Sequence, residues 1–386
     1  MNRKQMLWLK TLVVTGVLLT LSLFSAAPAG AQSLDWTVQD SGTTQSLRGL
    51  LWHDGRFIAV GDSETILSSP EGTDWTELNS GPGNSLRGIT YGNDLYVTVG
   101  SGGTVLTSPD GNSWTKQDQV SSPTLRDIAW NGSKFVVAAT PGIPVSDDGS
   151  AWDIIEPTVP YGHLDVVWGN GTFVLVANNA NIRTSADGDT WTLQSSGVSG
   201  SLTAVTWGDG QFVSFNGAGG KITTSPDGVT WTARDSGVAA DLRSVTWTGS
   251  HYVAVGYDGA IFLSTDGENW TEQDTGGVTA NLYAVASNGS LIVAVGKDGV
   301  VLTAALPGGE PEPDPEVETE PDPGVEPDPE PDQKPETKPE PESTKPGSTT
   351  PLPQTNGSAF PFLIPAGMLA LPPAYLLLRR KKERRR

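Results

Sequence analysis

The chain has 386 residues, with 24 lysines and arginines against 44 aspartates and glutamates, and a formal net charge of -20 at pH 7. A surface this acidic repels phosphate backbones, so nucleic acid is excluded as an expected partner. The chain contains no cysteine, which excludes disulfides, thiolate metal ligands and cysteine nucleophiles. Its 46 glycines and 13 tryptophans, with turn residues throughout, favour all-β structure built from many short strands.

Residues 1–31 have the organisation of a secretory signal peptide. Arg3, Lys4 and Lys10 lie around the start of an apolar run, and the segment closes with Ala29-Gly30-Ala31. Small residues at that place are typical of a cleavage site, so cleavage is expected after Ala31 and the rest of the chain is expected outside the cytoplasm. The alternative is that the apolar run stays as an N-terminal membrane anchor.

Residues 32–309 contain an internal repeat. It is marked by seven tryptophans spaced 38 to 40 residues apart, Trp36, Trp75, Trp114, Trp152, Trp191, Trp231 and Trp270. A period of this length is typical of propeller blades. Each unit reads as four short strands, for example LRGLLWHDG, RFIAVGD, ETILSSPEG and DWTELNS, with Gly-containing turns between them.

The repeat therefore predicts a seven-bladed β-propeller with four-stranded blades, which we expect to be monomeric. The last set of strands ends at Thr303-Ala304-Ala305 without a tryptophan of its own. We expect the strand around Trp36 to supply the missing outer strand, because joining the last blade to the first removes an open sheet edge.

A second signature, of the form S-x-D-G-x-x-W, joins the third strand to the fourth in six units. Its acidic residues are Glu71, Asp110, Asp148, Asp187, Asp227 and Asp266, and its tryptophans are Trp75, Trp114, Trp152, Trp191, Trp231 and Trp270. The carboxylate can accept loop N–H groups and glycine can take the left-handed conformation, so a structural role in a turn is favoured over a catalytic or calcium-binding one. Glutamate in place of aspartate at position 71 predicts a less regular first turn.

These segments resemble the Asp-box repeats of bacterial neuraminidases, and the resemblance covers nearly all of residues 33–306. It implies a propeller, and it makes a sialidase-like glycoside hydrolase the first enzymatic alternative. Sialidases need an arginine cluster, a tyrosine nucleophile with a nearby glutamate, and an acidic proton donor. Those residue types are present but not in a recognisable sialidase setting, so no catalytic residue is assigned and a non-enzymatic role is favoured.

Four arginines open the innermost strand of their units, at Arg48, Arg87, Arg126 and Arg243. The equivalent positions of the other three units are read as Asp165, Thr203 and Tyr283. Because the first strands of successive blades surround the central channel, the four guanidinium groups could converge at one mouth and bind a carboxylate or phosphate. The arrangement resembles the arginine-bearing propellers of photosystem II assembly factors.

A purely structural explanation of these arginines remains open. Each arginine could instead pair with Asp127, Asp165, Asp241 or a neighbouring acidic turn residue and thereby fix the packing of the blades. No cofactor and no metal ion is predicted, because the three histidines fall in different units without metal-ligand spacing and no phosphate-binding loop is present.

Residues 310–350 form a spacer rich in proline and acidic residues. Proline favours the polyproline conformation and the like charges repel one another, so this segment is predicted to be extended rather than folded. Residues 351–386 then contain Leu352-Pro353-Gln354-Thr355-Asn356, an apolar stretch from Ala359 to Leu378, and a basic tail.

The arrangement of residues 351–386 resembles the sorting signal of Gram-positive surface proteins, whose sortase cuts a Leu-Pro-x-Thr-Gly motif. It implies cleavage between Thr355 and Asn356, with sortase and peptidoglycan as partners. Asn356 stands where glycine is usual, and asparagine is known from another sortase class, so the responsible enzyme stays open. Anchoring in the membrane by the apolar stretch is the alternative, and the stretch is long enough to span a bilayer.

Together these features predict a binding module on the outer face of the cell envelope, anchored to the wall or the membrane. The propeller would present itself to an extracellular glycan, peptide or protein. The alternatives are a sialidase-like extracellular enzyme and an assembly or stability factor, similar to the photosystem II assembly factors, for exported membrane proteins.

Overall fold

The computed structural model describes residues 33–79, 83–155, 162–217 and 220–307. They form seven four-stranded antiparallel sheets, in agreement with the predicted seven-bladed propeller. The predicted signal peptide, spacer and sorting signal lie outside the described residues. Within the described ranges, no helix is long and apolar enough to span a bilayer.

Each sheet is a blade whose strands follow one another from the channel outwards. Blade 1 contains β2 (Leu47–His53), β3 (Arg56–Gly61), β4 (Ile66–Ser69) and β5 (Thr76–Asn79). Blade 2 contains β6 (Leu86–Gly92), β7 (Leu95–Gly100), β8 (Val105–Ser108) and β9 (Thr115–Lys116). Blade 3 contains β10 (Thr124–Trp130), β11 (Phe135–Thr140), β12 (Ile143–Ser146) and β13 (Asp153–Ile155). Blade 4 contains β14 (His163–Gly169), β15 (Thr172–Ala177), β16 (Asn181–Ser185) and β17 (Thr192–Ser195).

The remaining three blades repeat this order. Blade 5 contains β18 (Leu202–Gly208), β19 (Gln211–Asn216), β20 (Lys221–Ser225) and β21 (Thr232–Asp235). Blade 6 contains β22 (Leu242–Trp247), β23 (Tyr252–Gly256), β24 (Ile261–Ser264) and β25 (Thr271–Glu272). Blade 7 contains β26 (Leu282–Ser287), β27 (Leu291–Gly296), β28 (Val301–Ala305) and, as its outer strand, β1 (Thr37–Gln39).

The hydrophobic core lies between neighbouring blades. The second strands are almost wholly buried, as expected for strands covered on both faces by other sheets. Aromatic side chains lock the contact between blades: Trp207 of blade 5 packs on Gly169 of blade 4 so closely that a Cβ at Gly169 would lie 2.3 Å from the Trp207 ring. Glycine at that position is therefore required by the close approach of the neighbouring blade.

The meander gives the propeller two chemically different ends. The innermost strand of each blade starts at one end of the propeller and runs towards the other. The end at which it starts therefore also carries the turns between second and third strands and the loops that lead from each blade to the next. We call it the mouth end. The hairpins between first and second strands, and all the S-x-D-G-x-x-W turns, lie at the opposite end.

The ring closes as the sequence predicted. β1 pairs antiparallel with β28, with Thr37 opposite Thr303 and Gln39 opposite Val301. Hydrogen bonds on both sides of this strand support it: the backbone N–H of Leu34 donates to Gln273 Oε1 at 2.9 Å, and Ser41 Oγ donates to the Gly299 carbonyl at 2.7 Å. Blade 7 thereby combines both ends of the repeat region, and closure covers the edge of β28.

Deletion of residues 33–41 should expose the edge of β28, because no other strand of the described chain pairs there. We expect a lower melting temperature and new self-association, both measurable on the purified chain by calorimetry and by light scattering. The substitution V38T, which keeps the strand and changes an exposed side chain, is the matched control. A deleted chain that stays monomeric with an unchanged melting temperature would contradict this account of closure.

Candidate functional site: the arginine mouth of the channel

A β-bulge near the start of every innermost strand forms the candidate site. In each blade the pairing with the second strand skips this residue, as between Leu47 and Gly49 in blade 1. The same shift occurs in the other six blades. The skipped residues, in blade order, are Arg48, Arg87, Arg126, Leu164, Thr203, Arg243 and Tyr283.

These seven bulge residues, with Tyr257 from a turn of blade 6, line a cavity of about 230 Å³ at the mouth end of the channel. We call it the arginine mouth. The structure therefore brings together all four arginines that the sequence singled out. It does so because a bulged residue leaves the pairing register and its side chain is free to point into the channel.

The predicted equivalence of Asp165 with the arginines is wrong. In blade 4 the pairing shift falls between His163 and Asp165, so Leu164 is the bulge residue. His163 then occupies the buried place that leucine has in the other blades, and its Nδ1 lies 2.9 Å from the Ala139 carbonyl oxygen. The sequence alignment placed blade 4 one residue out of register because it matched leucine to leucine.

Two of the four arginines have the acidic partners that a structural role requires. Arg48 Nε and a terminal guanidinium nitrogen donate to both carboxylate oxygens of Asp62, at 2.6 and 2.8 Å. Arg243 donates to Asp241 at 2.7 Å. The bond to Asp62 raises the pKa of Arg48 above its ordinary value. Burial alone would raise the pKa of the Asp62 carboxyl, but its bonds to Arg48 and Ser85 outweigh burial and lower it.

Arg87 and Arg126, on adjacent blades, form no ion pair within the described part of the chain. Arg87 Nε donates to Ser101 Oγ at 3.2 Å, and Arg126 Nε is buried without a hydrogen-bond partner. Burial and the nearby guanidinium groups lower the pKa of both: those of Arg48 and Arg126 act on Arg87, and that of Arg243 acts on Arg126. Two part-buried cations that repel their neighbours would be stabilised by an anion between them.

Tyrosines line the other side of the mouth. The Arg243 guanidinium lies 4.1 Å from the centre of the Tyr257 ring and that of Arg48 lies 5.0 Å from the centre of the Tyr283 ring. Both are cation–π contacts that hold the paired arginines in place. Neither tyrosine hydroxyl bonds to a carboxylate in the described residues.

Asp127 and Asp165 pair with each other rather than with arginines. They follow the bulge residues of blades 3 and 4 and line a deeper part of the channel, of about 150 Å³. Backbone N–H groups bind them: Val205 donates to Asp165 at 2.7 Å, and Val166 donates to Asp165 at 2.9 Å and to Asp127 at 3.3 Å. Burial raises the pKa of both carboxyls, and the charge of Asp127 raises that of Asp165 further.

The S-x-D-G-x-x-W turns have the predicted turn chemistry and lie at the end opposite the arginine mouth. In five of them the aspartate accepts two loop N–H groups, as Asp148 does from Ser150 and Ala151 at 2.8 and 2.9 Å. The other four are Asp110, Asp187, Asp227 and Asp266. These bonds lower the pKa of Asp110 to about 2.

The turn tryptophans do more than pack against the blade. In all six turns the indole N–H donates to the carbonyl of the turn glycine, at 2.7 to 3.2 Å. Glu71 forms no bond equivalent to that of the aspartates in the described part of blade 1. In the described residues no group of three or more His, Asp or Glu side chains could hold a metal ion. The predicted cleavage site at Thr355 and Asn356 lies outside the described residues.

Comparison with known proteins supports the fold. A family profile described as the DUF6242 beta propeller domain matches residues 197–322, which is less than half of the chain. No curated protein matches. One similar structure, described as YCF48 bound to D1 peptide, has a TM-score of 0.59 and 18% identity over 73% of this chain and 99% of that chain.

Two further structures show the same architecture. YCF48 from Cyanidioschyzon merolae has a TM-score of 0.58 and 17% identity over 70% of this chain and 98% of its own. A catalytically inactive virginiamycin B lyase from Staphylococcus aureus, with quinupristin, has a TM-score of 0.62 and 13% identity over 70% of this chain and 100% of its own. At these identities the likeness establishes the propeller fold alone.

The carboxyl pair should make the stability of the propeller depend on pH. A raised pKa in the folded state means that the pair contributes most below the ordinary carboxyl pKa of about 4 and less as the pH rises through the raised value. D127N leaves one acid in place of two. At pH 7.5 we expect the melting temperature of D127N to exceed that of the unmodified chain by roughly 2–4 °C, the shift that about 1 kcal/mol produces in a domain of this size. Near pH 4 the two melting temperatures should converge.

Calorimetry between pH 4 and 8 measures this difference. The control is D258N, which neutralises an exposed aspartate at the mouth end. Parallel pH profiles for D127N and the unmodified chain would contradict the raised pKa of the pair.

Proposed function

We propose that the protein is a surface-anchored binding module whose arginine mouth captures a carboxylate of an extracellular ligand. The observation that carries the proposal is the pair Arg87 and Arg126, two part-buried guanidinium groups without a carboxylate partner in the described chain. A planar carboxylate offers two acceptor oxygens, which suits guanidinium groups converging from adjacent blades.

Unequal roles of the four arginines support this assignment. Arg48 and Arg243 donate their hydrogen bonds to Asp62 and Asp241 and stack on tyrosines. They hold the wall of the mouth, while Arg87 and Arg126 supply the uncompensated positive charge. A peptide or protein ligand is also consistent with one similar propeller, the structure described as YCF48 bound to D1 peptide.

The two ends of the chain support the location. The signal peptide in residues 1–31 and the sorting signal in residues 351–386 would place the propeller outside the cell. The acidic spacer in residues 310–350 would hold it away from the envelope, and sortase and peptidoglycan would be the partners in anchoring. Cleavage between Thr355 and Asn356 is part of the same proposal.

An assembly or stability factor for exported membrane proteins is the second candidate function. The similarity to the two YCF48 structures favours it over a hydrolase. The same mouth would then bind a carboxylate on a membrane protein of the producing cell, so the chemistry of capture is shared and the ligand differs.

The double substitution R87A/R126A tests the proposed function. We expect the purified full chain to bind acetylated peptides with a free C-terminal carboxylate. The double variant should bind them roughly tenfold more weakly, as expected when a pair of charge-assisted contacts is lost. Titration calorimetry at low and high salt measures the difference.

The matched control is R56A/R234A, which removes two arginines outside the mouth. Undiminished capture by R87A/R126A, with folding intact, would overturn the proposed site. Turnover of an aryl sialoside by the full chain would replace the binding role with the enzymatic alternative.

A further inference from the structure

The deeper part of the channel continues directly from the arginine mouth. The cavity of about 150 Å³ that contains Asp127 and Asp165 shares most of the residues that line the mouth. Those that line both cavities are Arg48, Arg87, Arg126, Leu164, Thr203, Arg243 and Tyr283. A charge bound in the mouth and a charge on the two aspartates therefore act on each other across one continuous space.

The two aspartates are exceptions among the equivalent positions of the propeller. The residue that follows the bulge is small in the other five blades, where it is Gly49, Gly88, Ala204, Ser244 or Ala284. Aspartate occupies this position in blades 3 and 4, which are neighbours. Because small residues suffice in five blades, the packing of the inner strands does not itself require the two acids.

The carboxyl groups of Asp127 and Asp165 lie side by side. The backbone N–H of Val166 donates to Asp165 Oδ1 at 2.9 Å and to Asp127 Oδ2 at 3.3 Å, so both carboxyls share one donor. The second oxygen of Asp165 accepts the N–H of Val205 at 2.7 Å. Within the described part of the chain neither carboxyl forms an ion pair with a cation.

This arrangement opposes full ionisation of the pair. Blade 2 closes over one side of it, since a Cβ at Gly88 would lie 3.0 Å from Asp127 Oδ1. Burial raises the pKa of both carboxyls, and the charge of Asp127 raises that of Asp165 further. The pair therefore reaches its second negative charge at a higher pH than two ordinary carboxyls do.

The other charged and titratable groups around the pair are fixed or lie apart from it. Arginine stays protonated in proteins, and a tyrosine hydroxyl loses its proton only in strongly alkaline solution. His163 precedes the bulge on the strand of Asp165, but it lines neither cavity and its Nδ1 lies 2.9 Å from the Ala139 carbonyl oxygen. The groups considered are Arg48, Arg87, Arg126 and Arg243 with Tyr283 on the cavity wall, Tyr257 in the mouth, and Asp62 and Asp241 in their pairs with Arg48 and Arg243.

We infer that capture of an anion at the arginine mouth is coupled to proton uptake by the carboxyl pair of Asp127 and Asp165. This inference rests on the proposed function and adds a regulation of the same site. A doubly ionised pair offsets more of the positive charge of Arg87 and Arg126 than a pair that keeps one proton. Binding is therefore tighter in mildly acidic than in alkaline solution, and the bound anion increases the proton affinity of the pair by the same factor.

Acetylated pentaalanine with a free C-terminal carboxylate is the probe, because its terminal carboxyl stays ionised above about pH 5 and nothing else in it titrates. Titration calorimetry of the full chain between pH 5.5 and 8.5 measures the affinity. Comparison of two cationic buffers with different ionisation enthalpies measures the protons taken up on binding. We expect the affinity to fall roughly tenfold from pH 5.5 to pH 8.5, with proton uptake between these limits.

The variants D127N and D165N each leave one carboxyl in place of the pair. Because the neighbouring charge is gone, the remaining carboxyl ionises more easily and its charge stays the same over this range. Each variant should bind the probe as the unmodified chain does at pH 5.5, keep that affinity as the pH rises, and take up no proton. Two single variants keep the test valid where one of them does not fold.

Two control variants should keep the pH dependence of the unmodified chain. H163L removes the histidine on the strand of Asp165 and gives blade 4 the leucine that the other blades have. D258N removes an exposed aspartate beside Tyr257 that lines neither cavity. Loss of the pH dependence in either control would assign the effect to a group other than the carboxyl pair.

The outcomes separate this inference from the proposed function. Binding of the probe that needs Arg87 and Arg126 but does not change with pH would overturn the inference alone. The same follows from tighter binding at pH 8.5 than at pH 5.5, or from a pH dependence that survives in both D127N and D165N. Binding that does not depend on the two arginines would overturn the proposed function.

Discussion

The bulge in each innermost strand is the constraint on which the site depends. A regular strand would send alternate side chains to the two faces of the blade, where they would be buried against neighbouring blades. Skipping one residue in the pairing releases its side chain into the channel. Because the skip recurs in all seven blades, the propeller carries a ring of seven side chains whose identities can vary without disturbing the core.

The same geometry explains the layered electrostatics of the channel. In blades 3 and 4 the residue after the bulge also lines the channel, in its deeper part, and it is an aspartate. The two acids accept backbone N–H groups of neighbouring inner strands and pair with each other instead of with the arginines above them. Arg87 and Arg126 therefore keep an uncompensated charge, which a structural ion pair would have removed.

The fold could be predicted from the sequence because its signals are local and repeated. The tryptophan spacing, the turn residues and the missing seventh outer strand are all visible in the sequence itself. The pairing of β1 with β28 confirmed the predicted closure. The convergence of the four arginines could also be predicted, since equivalent positions in a ring of blades meet at the axis.

Other properties of the mouth depended on contacts that no local pattern contains. The partners of the arginines are Asp62, from a turn within the same blade, and Asp241, two residues before Arg243. Tyr257 reaches the mouth from a turn and not from an inner strand, so the repeat alignment had no place for it. In blade 4, His163 stands where the other blades have leucine, so the repeat alignment assigned the wrong residue to the bulge.

The most direct test of the account is a crystal structure of the full chain with an acetylated peptide that has a free C-terminal carboxylate. The account predicts that the carboxylate lies between Arg87 and Arg126, within hydrogen-bonding distance of both guanidinium groups, while the Arg48–Asp62 and Arg243–Asp241 pairs stay intact. A peptide bound elsewhere, or a carboxylate that displaces Asp62 or Asp241 and leaves Arg87 and Arg126 unoccupied, would contradict it.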